Sequence, residues 1–181
     1  MLVLERIKRS DSRILAHMAV HYSQPKGFVG RNICYAVLWN NVLYGTIAGG
    51  SACKFLPGRN EFFGIDKNNL NGIINNIFYH VEKVNGSYPC RWFTVKVPNA
   101  FMDQIILDWQ NKYGDAVVGF ESLVELPRTG QLYLKAGWVC VGQTKGYTCK
   151  RGAGKGTDSW GGKRVWDTKN LRPKLVFCKK T

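Results

Sequence analysis

His21, Tyr22 and Ser23 stand in a row, an imidazole, a phenol and a hydroxyl within three positions. Such a row can shuttle a proton or ligate a metal, because the ring titrates near neutrality and the oxygens donate and accept. It can equally do no more than close the end of a helix, and these residues alone leave both readings open. A second set lies about a hundred positions on, where Glu121 and Glu125 are followed by Arg128 and Tyr133. Ligands of open α/β sheets gather beyond the carboxyl ends of strands, so a carboxylate at such an end is well placed for chemistry. At period two, Glu121 and Glu125 share a face if one strand runs through both; two solvated glutamates balancing nearby cations are the alternative. Arg59 and Asn60, after Pro57-Gly58, form a polar turn.

The chain surrounding these groups is strongly basic. Its 181 residues carry 26 Lys and Arg against 12 Asp and Glu, a formal charge of +14. Residues 145–181 hold eleven of those cations against Asp158 and Asp167, interleaved with glycines and with Tyr147, Trp160 and Trp166. Cations displace counterions from a phosphate chain, glycine lets the backbone approach it, and indole faces stack on bases. Lys150, Arg151, Lys163, Arg164 and Lys169, with Trp160 and Trp166, are therefore expected to contact nucleic acid, double-stranded DNA first. A solvated basic loop is the alternative, but +14 on one small chain exceeds what solubility asks. The six cysteines have no CxxC spacing, so a zinc site is not expected, and without a secretory signal neither is a disulfide framework.

Apolar residues at 45% and aromatics at 13% exclude wholesale disorder. No apolar run reaches the ~18 residues that argue for a membrane helix. The first fifteen residues are too charged for a signal peptide. A soluble protein of the cell interior with no membrane partner is expected. The elements read as a strand over Leu2–Ile7, a helix capped by Asp11 and running to Val20, and a hairpin of Asn32–Trp39 and Val42–Ala48 about Asn40-Asn41. Leu70, Ile73, Ile74, Ile77, Phe78 and Val81 recur at helical spacing and predict a helix over 68–81. Trp92–Val97 reads as a strand stopped by Pro98, with Asn99 capping a helix to Gly114. Ala116–Phe120 and Trp138–Val141 read as strands, and a short helix runs from Thr129 to Gly137. This order predicts a single α/β domain over 1–181, a mixed central sheet with helical crossovers and a basic Gly-rich segment at 145–170.

In order along the chain, HYSQPKGFVGR (21–31), LYGTIAGGSA (43–52), GRNEFFGI (58–65), VPNAFMDQIILDWQNKYG (97–114) and FESLVELPRTGQLYLKAGWVCVGQTKG (120–146) resemble the Mom family of phage DNA-modification proteins. They are also similar to a domain of the Druantia anti-phage defence system and of transposon-associated proteins. The G-x-x-Y-x-x-A-G-W-x-x-V-G-x-T block from Gly130 to Thr144 is the most specific part. The resemblance implies a GCN5-related acetyltransferase (GNAT) fold. It also implies addition of a carbamoylmethyl (acetamido) group to N6 of adenine in DNA, which protects phage DNA from restriction enzymes in the bacterial cytoplasm. Residue by residue it carries the family's His-Tyr pair to His21 and Tyr22, its acidic residue to Glu125, where the family usually has Asp, and its tyrosine to Tyr133. The family's association with iron makes His21, Tyr22 and Glu125 the implied ligands.

Chemistry on N6 asks for a base, Glu125 or His21, and for donors that stabilise the acceptor group, Tyr22, Tyr133 and Arg59. It also asks for a flipped adenine, with Trp138, Trp160 and Trp166 as stacking candidates. Trp92–Val97, read as the central strand, is followed by Pro98-Asn99-Ala100-Phe101 rather than by a glycine-rich turn that could cradle a pyrophosphate. Some relatives of the implied GNAT fold accept aminoacyl-tRNA, and a glycyl group would supply the two carbons and nitrogen of an acetamido unit. Acetyl-CoA and glycyl-tRNA therefore stand level as donors, the second making tRNA a further partner. A non-catalytic DNA-binding module and a conventional acetyltransferase are the competing classes.

Overall fold

A computed structural model describes residues 1–181 except 24, 67, 152–163 and 168, with backbone alone at 148–151 and 164–167. In chain order the elements are β1 (Leu2–Ile7), α1 (Ser12–Val20), β2 (Asn32–Trp39), β3 (Val42–Ser51), α2 (Arg59–Phe63), β4 (Ile73–Val81) and α3 (Phe93–Tyr113). There follow β5 (Gly119–Glu125), α4 (Gln131–Lys135), β6 (Val139–Gln143), β7 (Thr148–Arg151), β8 (Arg164–Asp167) and β9 (Lys174–Lys180). Seven strands form one sheet in the order β1-β2-β3-β4-β5-β9-β6, and β7 pairs with β8 as a separate ribbon. Within the seven-stranded sheet β4 and β5 are parallel and every other pair is antiparallel. The mixed α/β architecture expected from the sequence is the one observed. No described helix is long and apolar enough to cross a membrane.

The start of the chain folds as its residues dictate. Asp11 Oδ1 accepts from the Arg13 amide at 3.0 Å, an N-cap that satisfies one of the free amides of α1. Asn40 and Asn41 adopt φ of 48° and 64°, the double left-handed turn a two-residue hairpin requires. Helices cover both faces of the sheet. Ile14 and Met18 of α1 pack on Cys34, Ala48 and Phe78. The other face buries Phe93, Val97, Phe101, Ile105 and Trp109 of α3 on Tyr35, Ile47, Ile74 and Phe120.

Of the segments that depart from expectation, three bear on the site. Residues 73–81 are strand, not helix, because helices cover both sides of β4: Ile73 and Ile74 are both buried, and so are Asn75 and Asn76. A strand covered on both faces loses its alternation, and its apolar run then imitates a helical one. Residues 93–97 are the first turns of α3, not a strand ended by Pro98. Phe93, Val97 and Phe101 form one helical stripe against the sheet. Pro98 lies inside that helix and cannot donate to the Thr94 carbonyl four residues back. The Tyr79 hydroxyl, from β4, donates to that carbonyl instead, at 2.8 Å. The third departure is β9, which had not been expected as an element. It inserts between β5 and β6, and β5 runs on to Glu125 along it.

The central strand is thus β4, and the turn that leads into α3 is 82–92, with Gly86 as its one glycine. The absence of glycine after Val97 therefore carries no information about the donor.

The cap makes a measurable prediction. Hydrogen bonds from the Arg13 side chain and amide hold the Asp11 carboxyl down to about 2. Its contribution is present above the unfolded carboxylate's value and is lost as pH falls through about 2. Asp11→Ala is expected to lower stability by about 1 kcal/mol at neutral pH. Asp11→Asn keeps the capping oxygen but flattens the acid limb of a denaturation series below the carboxylate range.

Candidate active site

β4 and β5 stay paired only from Ile73–Asn76 against Gly119–Ser122, and then part. The opening is a cleft of about 590 Å³ lined by both strands, by residues 21–23, by the start of α4 and by Lys174. A bulge shapes its floor. Ala48 of β3 faces Phe78 whereas Gly49 faces Asn76, so Ile77 has no partner. The extra residue turns Phe78 toward α1 while Ile74 faces α3. The Asn76 amide fills the break. Its Nδ2 donates to the carbonyls of Ala48 and Phe78, both at 3.1 Å, and its Oδ1 accepts from the Tyr133 hydroxyl at 2.7 Å.

Tyr133 is buried at the base of the cleft, stacked on Phe177 at 5.5 Å and edge-on to Trp138 at 5.1 Å. Its position depends on Gly130, the residue before α4. There φ is +68°, and a Cβ would lie 2.2 Å from the Phe177 ring, so no side chain fits. Burial raises the Tyr133 phenol above the tyrosine range, with Tyr22 adding to the rise and a Ser122 hydrogen bond opposing it. It keeps its proton and serves as a neutral donor.

His21 and Tyr22 leave the C-terminal end of α1 in extended backbone and reach the same cleft. His21 packs on Tyr22 at 4.3 Å and on Phe78 at 4.8 Å, and its Nδ1 meets the Ser23 hydroxyl at 2.8 Å. Burial lowers the imidazole, with His80 and Arg128 adding to that and a hydrogen bond to the Tyr79 backbone opposing it. The ring is therefore neutral near pH 7. Tyr22 is 45% exposed. The Arg128 guanidinium lies 3.5 Å over the centre of its ring, a cation–π pair at the mouth of the cleft. Glu125 ends β5 with Lys174 4.0 Å away.

Four of the five residues singled out in the sequence, His21, Tyr22, Glu125 and Tyr133, thus line one cleft. Arg59 does not. Period two does put Glu121 and Glu125 on one face of β5, but Glu121 is buried and pairs with Arg59, both side chains 0% exposed. The Cys53 amide donates to Glu121 Oε1 at 2.6 Å, and Arg59 Nη2 donates to the Cys53 carbonyl at 2.9 Å. Burial pushes the Glu121 carboxyl up, opposed by the Cys53 amide and Arg59. This closed network ties α2 and the 52–54 segment to β5. Trp138, a stacking candidate, is buried core. Asn76 and Lys174 are cleft residues that the sequence alone does not point to, and Arg128, named there beside Tyr133, proves to cover Tyr22. Asn76 sits within a run read as helix, so no local signal could have found it.

His21, Tyr22 and Glu125 do not fit an iron ligand set. Both His21 nitrogens are engaged, Tyr22 lies under a guanidinium, and Glu125 faces an ammonium.

Beside the cleft, and sharing Ser23, Glu125 and Lys174 with it, runs a groove of about 480 Å³ that also exposes Lys145, Tyr147 and Arg172. Phe55, 73% exposed, stands on its wall. The Arg172 amide donates to the Gly146 carbonyl at 2.8 Å and closes the root of the β7–β8 ribbon at this groove. Lys150, Arg151, Arg164 and Trp166 belong to that ribbon, Lys169 is exposed just after it, and Trp160 and Lys163 lie outside the described residues.

The sequence matches no protein-family profile, and no curated protein matches it. Solved structures do. NAA60 of Arabidopsis thaliana in complex with acetyl-CoA superposes with a TM-score of 0.59 at 11% identity over 100% of both chains. The IAA acetyltransferase of Bacillus cereus gives 0.55 at 11% identity, again over 100% of both. A GNAT family acetyltransferase of Elizabethkingia anophelis with acetyl-CoA bound gives 0.54 at 10%, covering 99% of this chain and 98% of that one. The chain has the GNAT fold.

The Arg59–Glu121 pair predicts a distinctive mutational pattern. Arg59→Met leaves a buried carboxylate without its cation and is expected to cost about 3–5 kcal/mol, whereas Arg59→Met with Glu121→Leu restores most of it. Denaturant midpoints of the two variants check this.

Proposed function

We propose that the chain is a DNA-modifying transferase acting on the exocyclic N6 amine of adenine. The observation that carries this reading is the meeting of His21, Tyr22, Glu125 and Tyr133 in one cleft that opens onto a cationic groove. An acyl-transfer fold alone fits many amines; a groove bearing Lys145, Arg172 and Lys174 beside exposed Phe55 and Tyr147 favours a phosphate chain carrying bases.

N6 of adenine is conjugated with its ring and attacks poorly. In this reading Glu125 takes the N6 proton as the nitrogen attacks the activated carbonyl of the donor, and the carboxylate is the base because it ends β5 at the cleft mouth. Tyr22 donates to the oxygen on which charge develops, and Tyr133 swings its proton from Asn76 Oδ1 to the same oxygen as that charge builds. The neutral His21 holds the Tyr22 ring, and Glu125 hands the proton it took from N6 to the leaving group as that departs. The target adenine is extruded from the duplex and lies against the Tyr22–Arg128 stack, at a cost of a few kcal/mol. Lys145, Arg172 and Lys174 hold the flanking phosphates, which set register rather than sequence choice.

The donor is an activated acyl ester. Acetyl-CoA is the ligand of two solved neighbours, whereas a glycyl ester of tRNA carries the two carbons and nitrogen of the acetamido group that the resemblance to the Mom family implies. The products tell them apart: an acetyl substituent differs in mass from a carbamoylmethyl one, and a glycyl substituent is isomeric with carbamoylmethyl. Protection of phage DNA from restriction follows from a modified N6, which blocks major-groove readout of adenine.

Mass spectrometry of nucleosides from cells expressing the chain tests the reading. A heavier adenosine is expected, and Tyr133→Phe and Glu125→Gln are each expected to reduce it by about two orders of magnitude or more while DNA affinity holds. Unmodified adenosine throughout, with DNA binding intact, would leave a binding module instead. Lys145→Ala and Arg172→Ala are each expected to lower the slope of log affinity against log salt by about 1; unchanged slopes would place the DNA elsewhere.

A further inference from the structure

One cluster on the far side of His21 takes no part in the transfer just described. His17 on α1, His80 on β4 and Glu82 just beyond β4 bring their ligand atoms within 4.8 Å of one another, the one such His/Cys/Asp/Glu group among the described residues. His17 Nε2 lies 3.7 Å from one Glu82 oxygen, and His80 Nε2 lies 3.9 Å from the other. We propose that His17, His80 and Glu82 form a binding site for a divalent transition cation of the Zn²⁺ class.

Three features beyond proximity support the assignment. His80 Nε2 is a buried nitrogen with no hydrogen-bond partner, an unmet polar atom of the kind that native interiors rarely tolerate. His17 Nδ1 is held by the Thr46 hydroxyl at 2.9 Å. That is the outer contact which fixes a ligating imidazole and leaves Nε2 turned to the metal. The carboxylate is half exposed while His17 is buried, so the cluster has two fixed imidazoles behind and an opening to water in front. Two nitrogens and one carboxylate oxygen suit Zn²⁺ or Co²⁺, at bonds of ~2.0–2.2 Å with a further position left for water. At that bond length the ligand atoms about a tetrahedral ion lie roughly 3.3–3.5 Å apart, so the separations of 3.7 and 3.9 Å, which are to different Glu82 oxygens, close by a few tenths of an ångström and the widest, within 4.8 Å, by more. The half-exposed Glu82 carboxylate rotates to present one oxygen, and His80 turns from its stack on His17, where the ring centres are 4.7 Å apart, to bring the two imidazole nitrogens together.

The cation would join α1 to β4. His17 lies one helical turn before His21, so a metal at His17 and His80 fixes the end of α1 from which His21 and Tyr22 enter the cleft. Binding is distinct from the transfer chemistry, and neither Glu125 nor Tyr133 touches the cluster.

Calorimetric titration of the tag-free, chelator-treated chain with Zn²⁺, and visible absorption with Co²⁺, test the site. One equivalent of Zn²⁺ is expected, with a rise in melting temperature, and Co²⁺ should give d–d bands without thiolate charge-transfer absorption in the near ultraviolet. His80→Gln is expected to weaken Zn²⁺ binding roughly 100-fold, and Thr46→Val about tenfold. Glu82→Gln, at a half-exposed position that does not threaten folding, is expected to weaken it at least about tenfold and to abolish the thermal shift. No binding of either ion by the folded chain, binding unchanged in Glu82→Gln and His80→Gln, or a cobalt–thiolate band would each overturn the proposal. Loss of DNA modification with zinc binding intact would count against the proposed function and leave this site standing.

Discussion

Everything in the cleft follows from the parting of two parallel strands. β4 and β5 cannot separate without orphaning backbone amides and carbonyls, and a buried orphan costs as much as a lost hydrogen bond. Asn76 meets the same constraint at the neighbouring β3–β4 bulge: its amide serves the Ala48 and Phe78 carbonyls and its oxygen receives Tyr133. One side chain thus satisfies the broken ladder, fixes the bulge and orients the phenol at the base of the cleft. Tyr79, the next but one residue past the bulge, satisfies the carbonyl that Pro98 frees in α3. The same strand therefore ties the cleft to the long helix packed behind it.

Two glutamates on one face of one strand illustrate how environment, not residue type, sets role. Glu121, four residues inside β5, is enclosed with Arg59 and becomes a structural pin. Glu125, at the strand end, emerges where the sheet opens and meets only Lys174. A buried ion pair adds little net stability but is costly to break from one side, so the Arg59–Glu121 contact acts as a constraint on α2 rather than as a reactive group. Neither residue lines the cleft, so the proposed transfer is left to neutral donors and Glu125. The positive charge that a nucleic-acid partner would meet sits around the mouth, on Arg128, Lys145, Arg172 and Lys174.

Legibility in the sequence tracked how local each signal was. The Asp11 cap and the Asn40-Asn41 hairpin depend on side chains and dihedrals within a few residues, and both formed as read. β4 and the start of α3 were read in reverse. Helices on both faces erase the alternation of β4, and the aromatic and β-branched residues at 92–97 suggest a strand until α3's buried stripe through Phe93, Val97 and Phe101 outweighs that preference. β9 is short and has its partners well upstream in β5 and β6, so nothing adjacent announces it.

Composition and residue order determined a basic α/β chain, its first hairpin and helix, and the identity of the His21-Tyr22 and Glu125/Tyr133 groups. Those properties are written in neighbouring residues and in summed charge, and no folding is needed to read them. Tertiary structure alone decided that these groups meet, that Arg59 is withdrawn to Glu121, that Asn76 holds Tyr133, and that His17, His80 and Glu82 converge. Each of these depends on which strand lies beside which and on where a bulge shifts the phase of side chains. Pairings between residues thirty to a hundred positions apart are set by packing the whole sheet at once, and no local pattern encodes them.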